Sequence, residues 1–381
     1  MQKDEQLQIL KDLIQIQTPN GNELAVSEYI GKLFDRYHVP YKIDRFDDNR
    51  ANLVAEIGEG KADQVLAFEG HQDTVAVSDP DKWEHQPFEP FITDGKLYGR
   101  GSADMKSGLA AEVISLIELA TAKVPIKGKI RLIATAGEEY GTPGANRLAA
   151  NNIAKDVSAM VVGEPTSGQV VYAHSGSLNY QIKSYGKAVH SSIPEKGINA
   201  IVGLSKYIDA EAGLFDQAPK DPFLGTVKHS VTLIKGGEQV NIIPDYAELA
   251  GNIRPTLSFD NDHVIQTIKT AIDKINSETD YHLEFSLIHN FRPVETDPKN
   301  QFVQLAKNVA SDKYQDRSVG LTTINGATDA SVFIKNNPNM AVVVLGPDAW
   351  KVAHQTNEYT TLDSFYETIQ VYQAIVKRYF G

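Results

Sequence analysis

The stretch from Asp94 to Gly108, DGKLYGRGSADMKSG, decides how the rest of the chain is read. It opens on an Asp94-Gly95 turn signal, runs through Leu97-Tyr98, and sets one carboxylate, Asp104, between Gly101 and Gly108. The residues that follow, Leu109 to Ala122, are rich in Ala, Leu, Ile and Glu and predict a helix. A carboxylate on a glycine-rich loop at the mouth of a helix can lean into a pocket with little crowding around it. Taken alone, the same acid reads as a helix cap. The neighbouring segments shift that balance.

Upstream, Glu5 to Gln17 and Glu23 to Tyr37 carry apolar positions at helical spacing, parted by the breaker Thr18-Pro19-Asn20-Gly21. Asn52 to Ile57 and Gln64 to Phe68 predict strands, and the second ends in Glu69-Gly70-His71-Gln72-Asp73-Thr74. Open α/β sheets place ligands at the carboxyl ends of their strands. The His71-x-Asp73 spacing lets the ring coordinate a metal while the acid supports it, although most such pairs are ordinary surface residues. Downstream, the strand Lys129 to Ala134 runs into Gly137-Glu138-Glu139. Adjacent glutamates repel and seek a cation or solvent; they also suit the first turn of a helix. Ser158 to Gly163 is a third apolar strand, and it ends in Glu164-Pro165-Thr166. Three strands therefore finish in an acid or a histidine, which solvated surfaces alone do not explain.

From about Ser177 the texture changes. Leu178 to Ser184, Lys228 to Ile234, Tyr246 to Arg254 and His282 to Ile288 predict strands, with helices over Ala200 to Ala212 and His263 to Ser277. This predicts a smaller inserted α+β domain over residues 177–288, interrupting an α/β domain made of residues 1–176 and 289–381. Past His289 the α/β style resumes: a helix over Phe302 to Ala310, a loop at Gly326-Ala327-Thr328-Asp329, and a buried strand over Ala341 to Leu345. His354 sits in the next loop, and Ser364 to Phe380 predicts a closing helix.

Composition bounds the chemistry. With 381 residues, two domains are expected. A net charge of -12 argues against nucleic acid or an anionic membrane as the main partner. The chain has no cysteine, so disulfides, thiolate metal sites and cysteine nucleophiles are excluded and any metal is left to His, Asp and Glu. The polar start, MQKDEQLQ, and the lack of a long apolar run make a cytoplasmic protein the expectation.

His71, Asp104, Glu138-Glu139, Glu164 and His354 form a set of hard donors suited to zinc, cobalt or manganese. One carboxylate bridging two such ions is the plan of a dinuclear hydrolase. On GHQDTV, DGKLYGRGSADMKSG, TAGEEYGTPGA, GEPT, GKAVHSSIPEKGINAI, NIIPD and the late His354, the whole chain resembles a known family. It is the dinuclear zinc aminoacylase and exopeptidase family, which includes acetylornithine deacetylase, succinyl-diaminopimelate desuccinylase and carboxypeptidase G.

The resemblance implies a zinc-exopeptidase-like α/β catalytic domain with an inserted α+β domain that serves as lid and dimerisation surface. It implies two divalent metal ions, zinc foremost, with cobalt or manganese as alternatives. His71, Asp104 and Glu164 would hold one, and Asp104, Glu139 and His354 the other, with Asp104 shared. Glu138 would be the general base and Asp73 would orient His71. A cis peptide is expected at Asp104-Met105. His190, Asn241, Arg254, Gly326 and Thr328 would face the substrate: His190 as donor to the tetrahedral oxyanion, and Arg254 as a fork for a carboxylate.

The expected substrate is a small N-acyl amino acid and the expected assembly a homodimer. Desuccinylation of N-succinyl-LL-2,6-diaminopimelate is the first expectation; deacetylation of a substrate such as acetylornithine, or cleavage of di- or tripeptides, are the alternatives. One departure bears on this choice. The best-known desuccinylases place Arg-Arg-Gly-Ser before the small domain, where this chain has Ala173-His174-Ser175-Gly176-Ser177. An arginine that would help bind the acyl carboxylate is absent. His174 is then either a partial substitute or a solvated histidine on a strand edge.

Overall fold

The computed structural model describes residues 1–59 and 64–381. The chain divides into two compact units: Met1–Tyr172 with Glu295–Thr322 and Thr328–Gly381, and Ala173–Val294 with Thr323–Ala327.

In the first unit, Val65–His71 and Val157–Val162 carry buried residues on both faces, as strands in the middle of a covered parallel sheet must. Lys129–Thr135, Val65–His71, Val157–Val162 and Ala341–Val344 lie side by side in that order and run parallel. Antiparallel strands extend this core: Ala51–Ile57 and then Tyr41–Arg45 at one edge, and Val170–His174 at the other, where Val294–Glu295 and Leu321–Ile324 both pair with Val170–His174. The helix Lys106–Thr121 is buried without a break from Lys106 to Ile117, so it lacks the one-sided apolar stripe of a surface helix. It packs against Lys3–Gln15 and Leu362–Phe380. Leu10, Phe34, Phe68, Leu109, Ile114, Val161, Phe365 and Tyr372 belong to this one core.

Two glycines set how the Asp94 to Gly108 stretch folds. Asp94 and Gly95 both have positive φ, 48° and 72°, and form the tight turn between Phe91–Thr93 and Lys96–Tyr98. These strands and Tyr359–Thr361 make a small three-stranded sheet that the sequence pattern had not suggested, because three-residue strands are too short to show alternation. At Gly108 an added Cβ would lie 1.9 Å from the carbonyl oxygen of Gly163. Only glycine lets the helix approach this closely, and that approach brings the Asp104 loop to the end of the strand that precedes Glu164.

Two element boundaries moved in a telling way. The strand expected over Gln64 to Phe68 continues to His71, with Glu69, Gly70 and His71 paired to Ile133, Ala134 and Thr135. Its polar end had hidden it from a hydrophobic pattern. The helix expected from Leu109 begins at Lys106, whose buried ammonium donates to the carbonyls of Leu13 at 2.8 Å and Ile16 at 2.6 Å.

The second unit is a four-stranded antiparallel sheet in the order Lys228–Gly236, Tyr246–Arg254, Ser177–Tyr185, His282–Phe291. Alternate residues such as Leu178, Tyr180 and Ile182 are buried with Leu204, Tyr207, Val264 and Ile268 of the helices Ala200–Glu211 and Asn261–Glu278. Both helices start on side-chain caps: Asn199 accepts from the N–H of Ile201 and Val202, and Asp260 from that of His263.

Candidate metal centre

The four parallel strands deliver their chemistry at their carboxyl ends. His71 is the last residue of its strand, Lys129–Thr135 leads into the single turn Glu138–Tyr140, Val157–Val162 leads through Gly163 to Glu164, and Ala341–Val344 leads to the loop carrying His354. Asp104 arrives from the loop between Lys96–Tyr98 and the buried helix. Its peptide to Met105 is cis, as the resemblance implied.

These side chains converge. Asp104 Oδ1 lies 3.0 Å from His71 Nε2, and Asp104 Oδ2 lies 3.2 Å from His354 Nε2. Each oxygen of one carboxylate thus faces a different imidazole. Glu164 Oε1 is 3.6 Å from His71 Nε2, and Glu139 Oε1 is 2.9 Å from His354 Nε2. One ligand atom each from His71, Asp104 and Glu139 falls within 4.8 Å of the others.

The electrostatics of the cluster call for positive charge. Burial pushes Glu138 and Glu164 well above the usual carboxyl range, and their acidic neighbours add to it. Glu139 is raised by burial and by Asp104. Burial opposes protonation of His71, but the Asp104 hydrogen bond and the charges of Glu164 and Asp73 outweigh it and hold its pKa well up. His354 is pushed up to about 10 by its hydrogen bonds to Asp104 and Glu139. Glu164 Oε2 is buried with no hydrogen-bond partner among the described residues. An orphaned carboxylate oxygen beside crowded acids and two imidazoles is the donor set of a hard or borderline divalent cation, so the residues present fit the implied metals. His71, Asp104 and Glu164 would serve one cation; Asp104, Glu139 and His354 the other.

Asp73 holds more than the ring it was expected to orient. His71 Nδ1 lies 3.1 Å from the Asp73 carbonyl and 3.6 Å from its carboxylate. The carboxylate itself accepts the N–H groups of Gly137 at 2.8 Å, Glu138 at 3.1 Å and Glu139 at 3.1 Å. The sequence reading also passed over Arg100 and Glu358, a buried pair whose atoms approach to 2.5 Å between the Asp104 and His354 loops. The available signal was an acid four residues after His354 and an arginine inside the glycine-rich loop.

The remaining expected residues fall elsewhere. In the second unit, His190 and Asn241 are neighbours: Val189–His190 pairs with Ile242–Ile243, and the N–H of Ser191 donates to the Asn241 carbonyl at 2.9 Å. His190 is exposed, and its Nδ1 accepts the N–H of Ser192 at 3.2 Å. The same nitrogen lies 2.8 Å from the Ser192 hydroxyl, which leaves Nε2 as the ring nitrogen outside that turn. Arg254 closes the strand Tyr246–Arg254, and Gly326 lies half-buried in the 323–327 piece. Thr328, in the first unit, is fully buried, and its hydroxyl accepts the N–H of Ala330 at 3.3 Å. His174 is neither solvated nor available as a cation. It is 1% exposed, burial lowers its pKa to about 4, and its Nδ1 lies 2.9 Å from the Ser175 carbonyl.

Residues 67–378 match the model of peptidase family M20/M25/M40. A Staphylococcus aureus (strain MSSA476) protein described as a probable succinyl-diaminopimelate desuccinylase is 35% identical, over 98% of this chain and 97% of its own. Among solved structures, an M20 family metallo-carboxypeptidase from Sulfolobus solfataricus superposes with a TM-score of 0.83 at 18% identity, covering 99% of both chains. A Bacillus subtilis protein described as a dinuclear metal-binding peptidase of the M20 family gives 0.75 at 17% identity, over 99% of this chain and 98% of its own.

Proposed function

The chain belongs to peptidase family M20/M25/M40, and from that premise we propose that it hydrolyses N-succinyl-LL-2,6-diaminopimelate to succinate and LL-2,6-diaminopimelate. It is a metal-dependent hydrolase of linear amide bonds. The observation that carries the chemistry is Asp104, whose two oxygens each face a different histidine. The choice of acyl group is supported by the Staphylococcus aureus relative, whose name states that reaction and whose length the match nearly spans.

Two divalent cations in this cluster would polarise the amide carbonyl and make water acidic enough to attack at neutral pH. Zinc is the proposed cation. Glu138 adjoins the ligand Glu139 on the same turn, and we assign it to accept the attacking water's proton and return it to the leaving amine as the C–N bond breaks. His190, whose Nδ1 is engaged by Ser192, is assigned to donate from Nε2 to the tetrahedral oxyanion, and Asn241 beside it to position the substrate. Arg254 is assigned to a substrate carboxylate.

A homodimer is also proposed. Lys228–Gly236 is an edge strand of the second unit's sheet, and it exposes Leu233 at 63% and Ile234 at 56%. A cytoplasmic location remains the proposed one; no described helix is long and apolar enough to cross a membrane.

A second reading, hydrolysis of other N-acyl amino acids or of small peptides, is favoured by one observation: buried, neutral His174 stands where an acyl-binding arginine was looked for. Kinetics of the zinc- or cobalt-loaded enzyme on N-succinyl-LL-2,6-diaminopimelate, N-acetylornithine and a set of di- and tripeptides separates the two. The proposal expects the highest kcat/KM on the succinyl substrate. A tenfold or greater preference for acetyl or peptide substrates would replace it with the second reading.

A further inference from the structure

Arg100 and Glu358 are each 1% exposed and pair at 2.5 Å in the interior of the first unit. Burying two charges has a large desolvation cost, so such a pair is weak evidence for stability and asks for another reason. Its hydrogen bonds supply one. Glu358 Oε1 accepts the main-chain N–H groups of Ala103 at 2.8 Å and Asp104 at 3.0 Å. The Arg100 guanidinium, bound to Glu358 Oε2, reaches the carbonyls of Gln355 at 3.3 Å and His354 at 3.4 Å. The pair therefore joins the backbone of the shared ligand to the backbone of one of its two histidine partners.

That histidine needs holding. His354 has φ 63°, in the left-handed region, and it is half exposed on a loop, whereas His71 is buried and held in its strand by pairing to Thr135. The two loops leave adjacent strands, Lys96–Tyr98 and Tyr359–Thr361, so they start side by side, but the strands end before either ligand is reached. Trp83 covers the guanidinium, with its ring 5.2 Å away.

We propose that Arg100 and Glu358 are positioning residues chiefly for one cation site, that of Asp104, Glu139 and His354, and reach the site of His71 and Glu164 only through the shared Asp104. This rests on the ligand assignment above. A residue holding a ligand from behind usually changes metal affinity tenfold to a hundredfold when it is replaced.

The test uses the full chain, stripped with chelator and titrated with Co²⁺ by calorimetry and by cobalt absorption, as wild type, Arg100→Lys and Glu358→Gln. Arg100→Lys keeps a charge against Glu358 but loses the planar fork that spans Glu358 and both carbonyls. His354→Ala identifies which binding step belongs to that histidine. The expected result is a tenfold to hundredfold weakening of the His354 step and a clearly smaller weakening of the other, in protein whose chelated form unfolds cooperatively. Glu358→Gln leaves a buried guanidinium without its counter-charge; if it does not fold, Arg100→Lys decides. Equal weakening of both steps, or of neither, in folded Arg100→Lys would overturn the inference. Fewer than two cations on the wild type, or two unchanged steps in His354→Ala, would overturn the ligand assignment and the inference with it.

Discussion

Asp73 accepts the main-chain N–H of Glu139 at 3.1 Å, so an acid just past one strand holds the turn that follows its parallel neighbour. The same carboxylate takes the N–H groups of Gly137 and Glu138. Three amide donors converge on one buried anion, and this fixes the turn from which Glu138 and Glu139 project. Asp73 thereby reaches both Glu138, the proposed base, and Glu139, the proposed ligand.

Asp73→Asn should disturb that turn without emptying the core. The amide keeps one acceptor oxygen and sets an NH₂ group against a main-chain N–H. Cation affinity should fall by about tenfold to a hundredfold, and kcat should fall with cations saturating. Direct titration and steady-state kinetics check this. Full activity at saturating metal would limit Asp73 to its contact with His71.

The two glutamates of the turn are adjacent in sequence and are assigned different work. Glu138→Gln keeps shape but cannot accept a proton, so kcat should drop by about 10²–10⁴-fold with metal content unchanged. Glu139→Gln should lose cation first, with activity returning partly at high metal. The opposite pattern in metal analysis and kinetics would exchange their roles.

His190 lies in the second unit, and its test is complementation. His190→Ala should lower kcat far more than metal affinity. When Glu138→Gln and His190→Ala chains are mixed under conditions that exchange subunits, a dimer sharing groups across chains contains one intact site and regains part of the activity. No recovery despite exchange, shown by mass spectrometry of tagged chains, would leave His190 acting within its own chain.

Much of this was legible in the sequence for a physical reason. His71, Glu138-Glu139 and Glu164 stand out because each follows an apolar strand, and Asp104 because glycines clear space around it. Arg100, Lys106 and Glu358 did not stand out. A charged residue is read as solvated until packing shows otherwise, yet Lys106 is fully buried with its ammonium on two carbonyls, and Glu358 on two amides. Burial of a charge is a property of the whole fold, and one position in a sequence does not carry it. His174 shows the same limit, since its strand neighbours gave no sign that the ring would be enclosed.

His174 leads to a pH dependence. Its pKa is about 4 in the folded protein against 6.5 for an ordinary histidine. The unfolded chain therefore takes up a proton that the native ring refuses, and stability is lost as pH falls from 6.5 towards 4. The loss is on the order of 3 kcal/mol at the acid end. In chelator-treated protein, urea unfolding of His174→Asn should show a shallower decline than wild type over this range. Parallel curves would mean that the ring is protonated in the native state.

The central claim is that the cluster around Asp104 holds two cations and that these are needed to split an N-succinyl amide. The measurement closest to it is succinate release by chelator-stripped enzyme as Zn²⁺ is added stepwise, with bound metal counted in the same samples. The account expects negligible release without metal, activity rising to a plateau by two equivalents per chain, and an Asp104→Asn chain that binds both cations weakly and stays inactive. Undiminished succinate release by metal-free enzyme, or by Asp104→Asn, would contradict it.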